Sequence, residues 1–342
     1  MEVIVKSVMA NIRDVAKEAN VSVATVSRVI NKLPHTSEAA IEAVHAAMDK
    51  LNYRPNANAR ALANNSSPSI GVLVADVSNP FYGAMVQAID EVAREYKKHI
   101  LITHGYHNET FEREAIELLI NNRCESLVIH SKGLTDRELI KFSKEIPGLV
   151  VINRFIPEIA DRCVALDNQR GSNIAINHLI RFGHKKIGYL SSSHNIDDSI
   201  DRKLGYRTEL EKHQLSYSEN LVVSGEPNEL GGAEAMRNLL AQNVPFTAVA
   251  TYNDLMAAGA ISVLKENNFR VPEDVSVIGF DDAPIASYLY PTLTTVRYPI
   301  HIMANQAARL AIHLAENAPY EHAGNLYLPT LIARDSVNAP AE

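Results

Sequence analysis

The chain has 342 residues, of which 46% are apolar and 21% are charged, and its formal net charge is −7. This length exceeds one ordinary domain, so at least two globular units are expected. The sequence contains no apolar run of about 18 residues and no signal-peptide pattern, which favours a cytoplasmic protein over a membrane protein. Its two cysteines, Cys124 and Cys163, lack zinc-ligand spacing and are expected to be buried, reduced thiols.

The charge is unevenly distributed along the chain. Residues 1–66 contain eight Lys and Arg against six Asp and Glu, whereas the remainder contains 25 against 34. A mildly basic N-terminal unit on an acidic body is compatible with phosphate contacts made by the N-terminal unit alone. Because the asymmetry is small, it only supports stronger evidence.

Residues 12–31 predict a helix-turn-helix. Apolar residues recur at spacings of three and four from Ile12 to Ala19, stop, and resume at Val26. The intervening Asn20-Val21-Ser22 suits a tight turn followed by a helix N-cap. Two helices of an all-α core would give the same pattern. If the unit binds DNA, the second helix presents to the major groove the side chains of Val23, Ala24, Thr25, Ser27, Arg28 and Asn31.

A third helix is predicted over residues 37–51, with Ser37 as its N-cap, and it completes the N-terminal head. The following Ala-rich stretch, residues 53–64, is too short and too polar to form a stable helix by itself. Residues 65–69, Asn-Ser-Ser-Pro-Ser, have the composition of a linker.

Three segments of this region together resemble the lactose/galactose repressor family of transcriptional regulators. They are Ile-Arg-Asp-Val-Ala at 12–16, Val-Ser-Val-Ala-Thr-Val-Ser-Arg-Val-Ile-Asn at 21–31, and Leu-Asn-Tyr-Arg-Pro-Asn-Ala-Asn-Ala-Arg-Ala-Leu-Ala at 51–63. The resemblance implies a hinge helix over residues 57–64 that forms on operator DNA and pairs with its dimer mate. In this arrangement Asn56 and Ala59 contact DNA and Leu62 inserts into the minor groove, where bending offsets the cost of unstacking. Without the family pattern, Leu62 would be read as an ordinary core leucine.

From residue 70 the sequence predicts an α/β body, because short apolar runs alternate with helical patterns. The first unit has strands near 70–75, 99–103, 126–130 and 149–153, with helices near 79–97, 110–122 and 135–144. The second begins with a strand at 163–167 and has further strands near 186–190, 221–223, 247–251 and 275–280, with helices near 169–182, 201–213, 229–241 and 254–267. Two doubly wound parallel-sheet units in tandem imply a cleft between them.

Ligands of such sheets bind beyond the carboxyl ends of the strands. The residues at those ends are mostly polar, and Phe81 and Tyr82 add flat faces; they occupy positions 76–81, 153–154, 167, 191–193, 253–254 and 281–282. Paired donors and acceptors with an aromatic wall suit the hydroxyls and the apolar face of a sugar. Each strand-end Asp could equally cap a helix, so only their joint position favours a cleft.

The family resemblance covers essentially the whole chain, and the body is similar to periplasmic sugar-binding proteins. It places Arg202, Asn253 and Asp281 at effector-contacting positions, with Arg202 and Asp281 as a polar clamp, and Asn153 where other members carry an Asp. The full expected effector site is Asp76, Phe81, Asn153, Asp167, Arg202, Asn253 and Asp281. Segments at 105–109, 123–124, 151–154, 225–227 and 295–299 most resemble the galactose operon repressor and isorepressor branch, which implies D-galactose as the effector.

The resemblance also implies a division of the chain. Residues 1–8 form an extension, 9–55 the DNA-binding head, and 56–68 the hinge helix and linker. Residues 69–167 and 299–324 form the N-terminal effector subdomain, and residues 168–298 and 325–342 the C-terminal one. A helix over 300–317 returns the chain to the first subdomain. A homodimer is the implied assembly.

No enzyme is expected, because the motifs HExxH, GxGxxG, Walker A and GxSxG do not occur. The 13 histidines are scattered, and solvated or capping roles are expected for those at 35, 45, 107, 184, 194 and 213. Asp281 and Asp282 are adjacent at a strand end, so only one of them faces the cleft. No metal or cofactor is expected.

The sequence therefore predicts a dimeric, sequence-specific repressor of sugar utilisation or transport genes, released from its operator by a sugar inducer. Arg28 is expected to reach guanine, and Val23 and Ala24 to make apolar contacts with bases. Binding of sugar and of operator would be negatively coupled. The alternatives within the family are a regulator that responds to another hexose, to a purine corepressor or to a phosphorylated partner protein.

Overall fold

The computed structural model describes residues 10–31, 33–34, 36–54, 67–321 and 324–340. The chain divides into two compact units, one up to Ser67 and the other from Pro68 onward. The expected extension at 1–8 and the expected hinge helix, with Asn56, Ala59 and Leu62, lie outside the described residues. Each unit is considered by itself below.

The first unit contains the helix-turn-helix and the third helix that the sequence predicts. Its helices are α1 (Ile12–Glu18), α2 (Val23–Ile30) and α3 (Glu38–Lys50). Asn20 has a φ of 52°, the left-handed conformation expected for the turn, and the Ser22 hydroxyl accepts from the Thr25 N–H at 3.0 Å as the N-cap of α2. The three helices share a small buried core of Val15, Ala16, Val26, Val29, Val44 and Ala47.

The second unit contains two six-stranded sheets, each covered by helices, and thus two lobes. The first lobe has its strands in the order β11-β5-β4-β3-β1-β2. Its elements are β1 (Ser67–Val74), α4 (Pro80–Glu95), β2 (His99–His104), α5 (Glu109–Asn121), β3 (Cys124–Ile129), α6 (Asp136–Glu145), β4 (Gly148–Ile152), a 3₁₀ turn (Pro157–Arg162), β5 (Cys163–Leu166), α11 (Ile300–Ala315) and β11 (Leu326–Tyr327).

The second lobe has its strands in the order β12-β10-β9-β8-β6-β7. Its elements are α7 (Asn168–Arg181), β6 (Ile187–Ser192), α8 (Asp197–Lys212), a 3₁₀ turn (Glu219–Leu221), β7 (Val222–Gly225), α9 (Glu229–Ala241), β8 (Ala248–Thr251), α10 (Asp254–Glu266), β9 (Ser276–Asp281), a 3₁₀ turn (Pro284–Ser287), β10 (Thr294–Arg297) and β12 (Thr330–Ile332). Its strands pair in parallel except β12, which runs antiparallel to β10.

The chain crosses between the lobes after β5, after β10 and between β11 and β12. Helix α11 packs against α4 and the sheet of the first lobe, with Met303, Ala304 and Ala307 fully buried. The predicted return helix is therefore confirmed. Doubly wound lobes joined in this way place the carboxyl ends of both sheets on either side of one cleft.

The structure corrects four expectations. The strand at Cys163–Leu166, grouped by its pattern with the second unit, pairs with β4 in the first sheet. Strand β11, expected in the second lobe, pairs with β5 in the first. Helix α8 begins at Asp197, four residues before the predicted start, because the polar residues there form its first turn. Cys124 is only partly buried, although burial raises the pKa of its thiol and of the Cys163 thiol to about 11.

Candidate functional site

The outward face of α2 is the candidate DNA-contacting surface of the head. The side chains of Val23, Ala24, Arg28 and Asn31 are exposed, and Val26 and Val29 on the opposite face are buried in the core. This orientation follows from the helical period, since residues three and four apart share a face.

Three of the six DNA-contacting residues expected at α2 are engaged in hydrogen bonds within the head. The hydroxyl of Thr25 lies 2.9 Å from the hydroxyl of Ser22, and the hydroxyl of Ser27 accepts from the Asn31 amide at 3.3 Å. Both Thr25 and Ser27 are half-buried. Arg28 is exposed and makes no such contact among the described residues.

The second unit holds a cavity between its two lobes. Residues that follow the strands of both sheets line it, as the sequence rule predicts. The lining residues are Asn79, Phe81, Tyr82, His107, His130, Asn153, His194, Ile196, Asp198, Arg202, Pro227, Tyr252, Asn253, Asp281 and Tyr298. Phe81 packs edge-on against Tyr82 and Tyr298, with ring centroids 5.2 and 4.9 Å apart, and these rings provide the flat wall.

Arg202 is the most constrained polar side chain of the cavity. Its Nε donates to Asn168 Oδ1 at 2.9 Å, and its Nη1 donates to the Tyr252 carbonyl at 2.6 Å. The guanidinium carbon also lies 3.6 Å from the centroid of the Phe280 ring. Asp281, the other residue of the expected clamp, lies nearby, with Arg202 Nη1 and Asp281 Oδ1 3.5 Å apart. Arg202 is thus held in position by contacts with the protein itself.

Asp281 faces the cavity, whereas Asp282 does not. The carboxylate of Asp282 pairs instead with Arg334 at 2.6 Å and with Arg297 at 2.8 Å. Burial raises the pKa of Asp281 to about 7, although Arg202 favours its ionised form. The prediction that only one of the adjacent carboxylates faces the cleft is confirmed.

Two asparagines of the expected site also line the cavity. The Oδ1 of Asn253 caps α10 by accepting from the Met256 N–H at 2.9 Å, and its Nδ2 donates to the Pro227 carbonyl at 2.9 Å. Asn153, which has a φ of 60°, donates from Nδ2 to Asp198 Oδ2 at 2.7 Å. Its buried Oδ1 accepts no hydrogen bond from the described residues, so it is a free acceptor for a ligand hydroxyl.

Two expected effector residues, Asp76 and Asp167, do not line the cavity. Asp76 accepts from the N–H and the hydroxyl of Ser78 at 2.9 and 2.8 Å, and Asp167 caps α7 by accepting from the Arg170 N–H at 2.9 Å. These are the local turn and capping roles that strand-end Asp residues often have. The structure therefore separates them from the other five residues of the expected site.

Two of the histidines expected in solvated or capping roles, His107 and His194, line the cavity instead, and His130 lines it beside them. His107 and His194 face each other with ring centroids 5.4 Å apart, and His130 packs 5.9 Å from His107. Burial lowers the pKa of His107 to about 4 and that of His130 to about 3, so both rings are neutral near pH 7. His184 is also buried, with Nδ1 2.9 Å from the Thr247 hydroxyl, which corrects the same expectation.

Sequence reasoning missed several lining residues for identifiable reasons. His107 and His130 follow β2 and β3, so the strand-end rule would have included them had it been applied to every strand. Asp198 was missed because α8 was predicted to begin after it.

Within the described ranges, His, Cys, Asp and Glu form no group of three that could hold a metal ion, and no helix there is long and apolar enough to cross a membrane.

Two family models match the chain in the order of its two units. The model of bacterial regulatory proteins of the lacI family matches residues 11–56. The model of the periplasmic binding protein-like domain matches residues 176–337. The predicted combination of a helix-turn-helix head and a periplasmic-binding-protein-like body is thereby confirmed.

Full-length relatives and solved structures agree with these matches. The chain is 52% identical to the HTH-type transcriptional regulator GalR of Escherichia coli K12, with 97% of both chains covered. It is 50% identical to the regulator GalS of Salmonella typhimurium LT2, with 96% of this chain and 97% of the relative covered. A lac repressor dimer bound to operator and an anti-inducer is 26% identical, with a TM-score of 0.84 over 96% of this chain and 99% of that one. The chain therefore belongs to the lacI family of bacterial regulatory proteins and is a transcriptional regulator rather than an enzyme.

Proposed function

We propose that this protein is a dimeric, sequence-specific repressor of galactose utilisation or transport genes, and that D-galactose in the interlobe cavity releases it from its operator. The observation that carries the proposal is the polar, aromatic-walled cavity between the two lobes of a regulator that is half identical to GalR and GalS. The residues proposed to contact the sugar are Phe81, Asn153, Arg202, Asn253 and Asp281, together with the newly located Asp198.

The chemistry of the cavity favours a neutral, hydroxyl-rich ligand. Arg202 supplies donors, and Asp198, Asp281 and the Oδ1 of Asn153 supply acceptors, so each hydroxyl of a pyranose can be paired inside the cavity. The Phe81, Tyr82 and Tyr298 rings offer an apolar surface to the C–H face of the sugar.

The exposed face of α2 supports the proposed DNA contact. Arg28 is proposed to donate to guanine O6 and N7, and Val23 and Ala24 to contact thymine methyl groups. The solved structure of a lac repressor dimer on operator supports a two-fold arrangement in which two heads read two half-sites. Residues 9–55 are proposed as the head and 56–66 as the hinge and linker, because the expected linker residues 67 and 68 belong to β1. Asn56, Ala59 and Leu62 are proposed as hinge contacts to DNA.

The two ligands are proposed to oppose each other through the lobes. The first lobe is assigned residues 67–167 and 299–324 together with Leu326 and Tyr327, and the second residues 168–298 and the rest of 325–342. Sugar stabilises one arrangement of the lobes and operator the other, so each weakens the binding of the other by the same factor.

The decisive experiment measures operator binding by the full-length protein with and without D-galactose. Binding sites are first selected from a random duplex library, and the best duplex is then titrated at fixed salt, since phosphate contacts make affinity salt-dependent. We expect D-galactose to weaken operator binding, whereas its enantiomer L-galactose should have no effect. If the selection yields no preferred duplex, the repressor proposal is contradicted. Equal responses to D-galactose and L-galactose would contradict D-galactose as the effector.

A second candidate keeps the same repressor but changes its signal. The closed cavity could favour operator binding instead, as with a purine corepressor, or another hexose or a phosphorylated partner protein could be the signal. Thermal unfolding with a panel of hexoses, purines and phosphosugars separates these, because a ligand that binds the folded protein raises the unfolding temperature increasingly as its concentration exceeds its Kd.

A further inference from the structure

Among the described residues, the carboxylate of Asp198 in the second lobe accepts hydrogen bonds from two side chains of the first lobe. Lys132 Nζ donates to its Oδ1 at 2.5 Å, and Asn153 Nδ2 donates to its Oδ2 at 2.7 Å. Lys132 follows β3 and Asn153 follows β4, whereas Asp198 lies in the first turn of α8. Two hydrogen bonds to the Asp198 carboxylate thus bridge the two lobes across the cavity wall.

This bridge is buried, so its charges depend on each other. The Lys132 side chain is 1% exposed and that of Asp198 is 6% exposed. Burial opposes ionisation of Asp198, but Lys132 and Arg202 outweigh it, and its pKa lies below the ordinary value. Removing one partner of a buried pair leaves the other charge without compensation, which is far more costly than losing a surface pair.

The loop that carries Lys132 is held by hydrogen bonds to a second buried carboxylate, that of Glu112. Glu112 of α5 is 1% exposed and accepts from the backbone N–H groups of Lys132, Gly133 and Leu134 at 3.0 to 3.1 Å. The hydroxyl of Ser131 donates to the same carboxylate. Lys132 is therefore aimed at the second lobe by a rigid turn.

We infer that Lys132 is a positioning residue of the sugar site: it joins the two lobes across the cavity before sugar binds and holds Asp198 and Asn153 in place for the ligand. The inference rests on the proposed function, because it names what prepares the same cavity for sugar. With its Nδ2 engaged by Asp198, Asn153 presents its unpaired Oδ1, and the Asp198 carboxylate keeps lone pairs for a hydroxyl. A site ordered in advance loses less entropy when the ligand binds.

The test compares Lys132→Met with Lys98→Met in the full-length protein without ligand. Lys98 is a matched control, because it pairs with Glu125 inside the first lobe and lies outside the cavity lining. Hydrogen–deuterium exchange is followed in residues 131–134 and in residues 196–202 of the opposite lobe. We expect Lys132→Met to accelerate exchange in both segments by about fivefold or more, and Lys98→Met to leave 196–202 unchanged.

A sugar panel then separates positioning from a general loss of stability. Lys132→Met should weaken D-galactose binding by about tenfold or more. It should also reduce the ratio of the Kd for D-glucose to the Kd for D-galactose, two sugars that differ in the configuration of one hydroxyl. Asp198→Asn keeps the shape of the side chain and should reduce the preference for D-galactose over D-glucose in the same way. The inference therefore stays testable if Lys132→Met does not fold.

The experiment distinguishes a failure of the inference about Lys132 from a failure of the proposed function. Unchanged exchange in residues 196–202 of both Lys132→Met and Asp198→Asn would overturn the inference, whatever sugar the protein binds. Accelerated exchange in residues 196–202 of these variants, in a protein that binds no hexose, would support the bridge between the lobes. It would contradict the proposed sugar effector instead. An undiminished galactose preference in both variants would also overturn the positioning role.

Discussion

The guanidinium carbon of Arg202 lies 3.6 Å from the centroid of the Phe280 ring, and Phe280 directly precedes Asp281 in β9. The Tyr252 ring lies 4.6 Å from the same carbon. A cation held by two aromatic rings and by hydrogen bonds to Asn168 and the Tyr252 carbonyl cannot be replaced by a compact ammonium group. The position of Arg202 is thus a property of the fold rather than of a bound ligand.

Arg202→Ala should abolish the sugar response while leaving operator binding intact. Loss of buried, charge-assisted hydrogen bonds is expected to cost at least about 2 kcal/mol of sugar affinity, or roughly 30-fold. Isothermal titration with D-galactose measures this loss, and Arg202→Lys should show nearly the same one. Arg270→Ala, which removes an exposed arginine paired with Asp274, is the control and should bind sugar normally. Unaltered galactose binding by Arg202→Ala would contradict the clamp.

Sugar affinity should fall as the pH drops below 7. The pKa of Asp281 is raised to about 7 by burial, and a hydroxyl that donates to this carboxylate favours its ionised form. The affinity should therefore be highest above pH 7 and decline toward pH 5.5, where His107 and His130 do not titrate. Titrations from pH 5.5 to 8.5 measure the trend, and Asp281→Asn should bind weakly with a flat profile. An equally steep profile in that variant would place the titrating group elsewhere.

The raised pKa of Asp281 makes the stability of the folded protein change with pH in the opposite direction from sugar affinity. Because the pKa of Asp281 is raised above its unfolded value of about 4, the folded protein binds the proton more tightly between these two values. The contribution of Asp281 to stability is therefore greatest at acid pH and declines as the pH rises toward 7. Chemical denaturation of Asp281→Asn against the unmodified protein should show a stability gain that grows over the same range.

Arg28→Ala should remove discrimination between operator and scrambled DNA. The exposed Arg28 is expected to contact a base edge, and loss of such a contact costs about 1–3 kcal/mol on the correct sequence only. Fluorescence anisotropy with both duplexes at fixed salt measures the ratio. An equal loss on both duplexes would show that Arg28 contacts phosphate rather than base.

Asn20→Val should destabilise the head without affecting the sugar cavity. Asn20 has a φ of 52°, and a β-branched residue in this conformation costs about 1–2 kcal/mol. Operator binding is expected to weaken and galactose binding to stay the same. Asn20→Gly is the control, because glycine adopts this φ without strain. Equal operator affinity for Asn20→Val and the unmodified protein would contradict the proposed strain.

Much of the architecture follows from local pattern, whereas the site depends on contacts distant in sequence. The turn at Asn20 and the cap at Ser22 are local features, so their residue types predict them. Asp76 and Asp198 show where this approach fails: both are acidic and near strand ends, but the first binds its neighbour Ser78 and the second binds Lys132, 66 residues away. The pairing of β5 with β4 and β11 likewise depends on the sheet order, which the strand pattern alone does not contain.

The short strands β11 and β12 have a consequence for biosynthesis. Both sheets receive an edge strand from residues 326–332, since β11 pairs with β5 in the first lobe and β12 with β10 in the second. A nascent chain therefore cannot complete either lobe until this segment has left the ribosome, although its helix-turn-helix can fold much earlier. A premature stop before residue 326 would release a DNA-reading head attached to two unfinished lobes, which favours degradation over regulation.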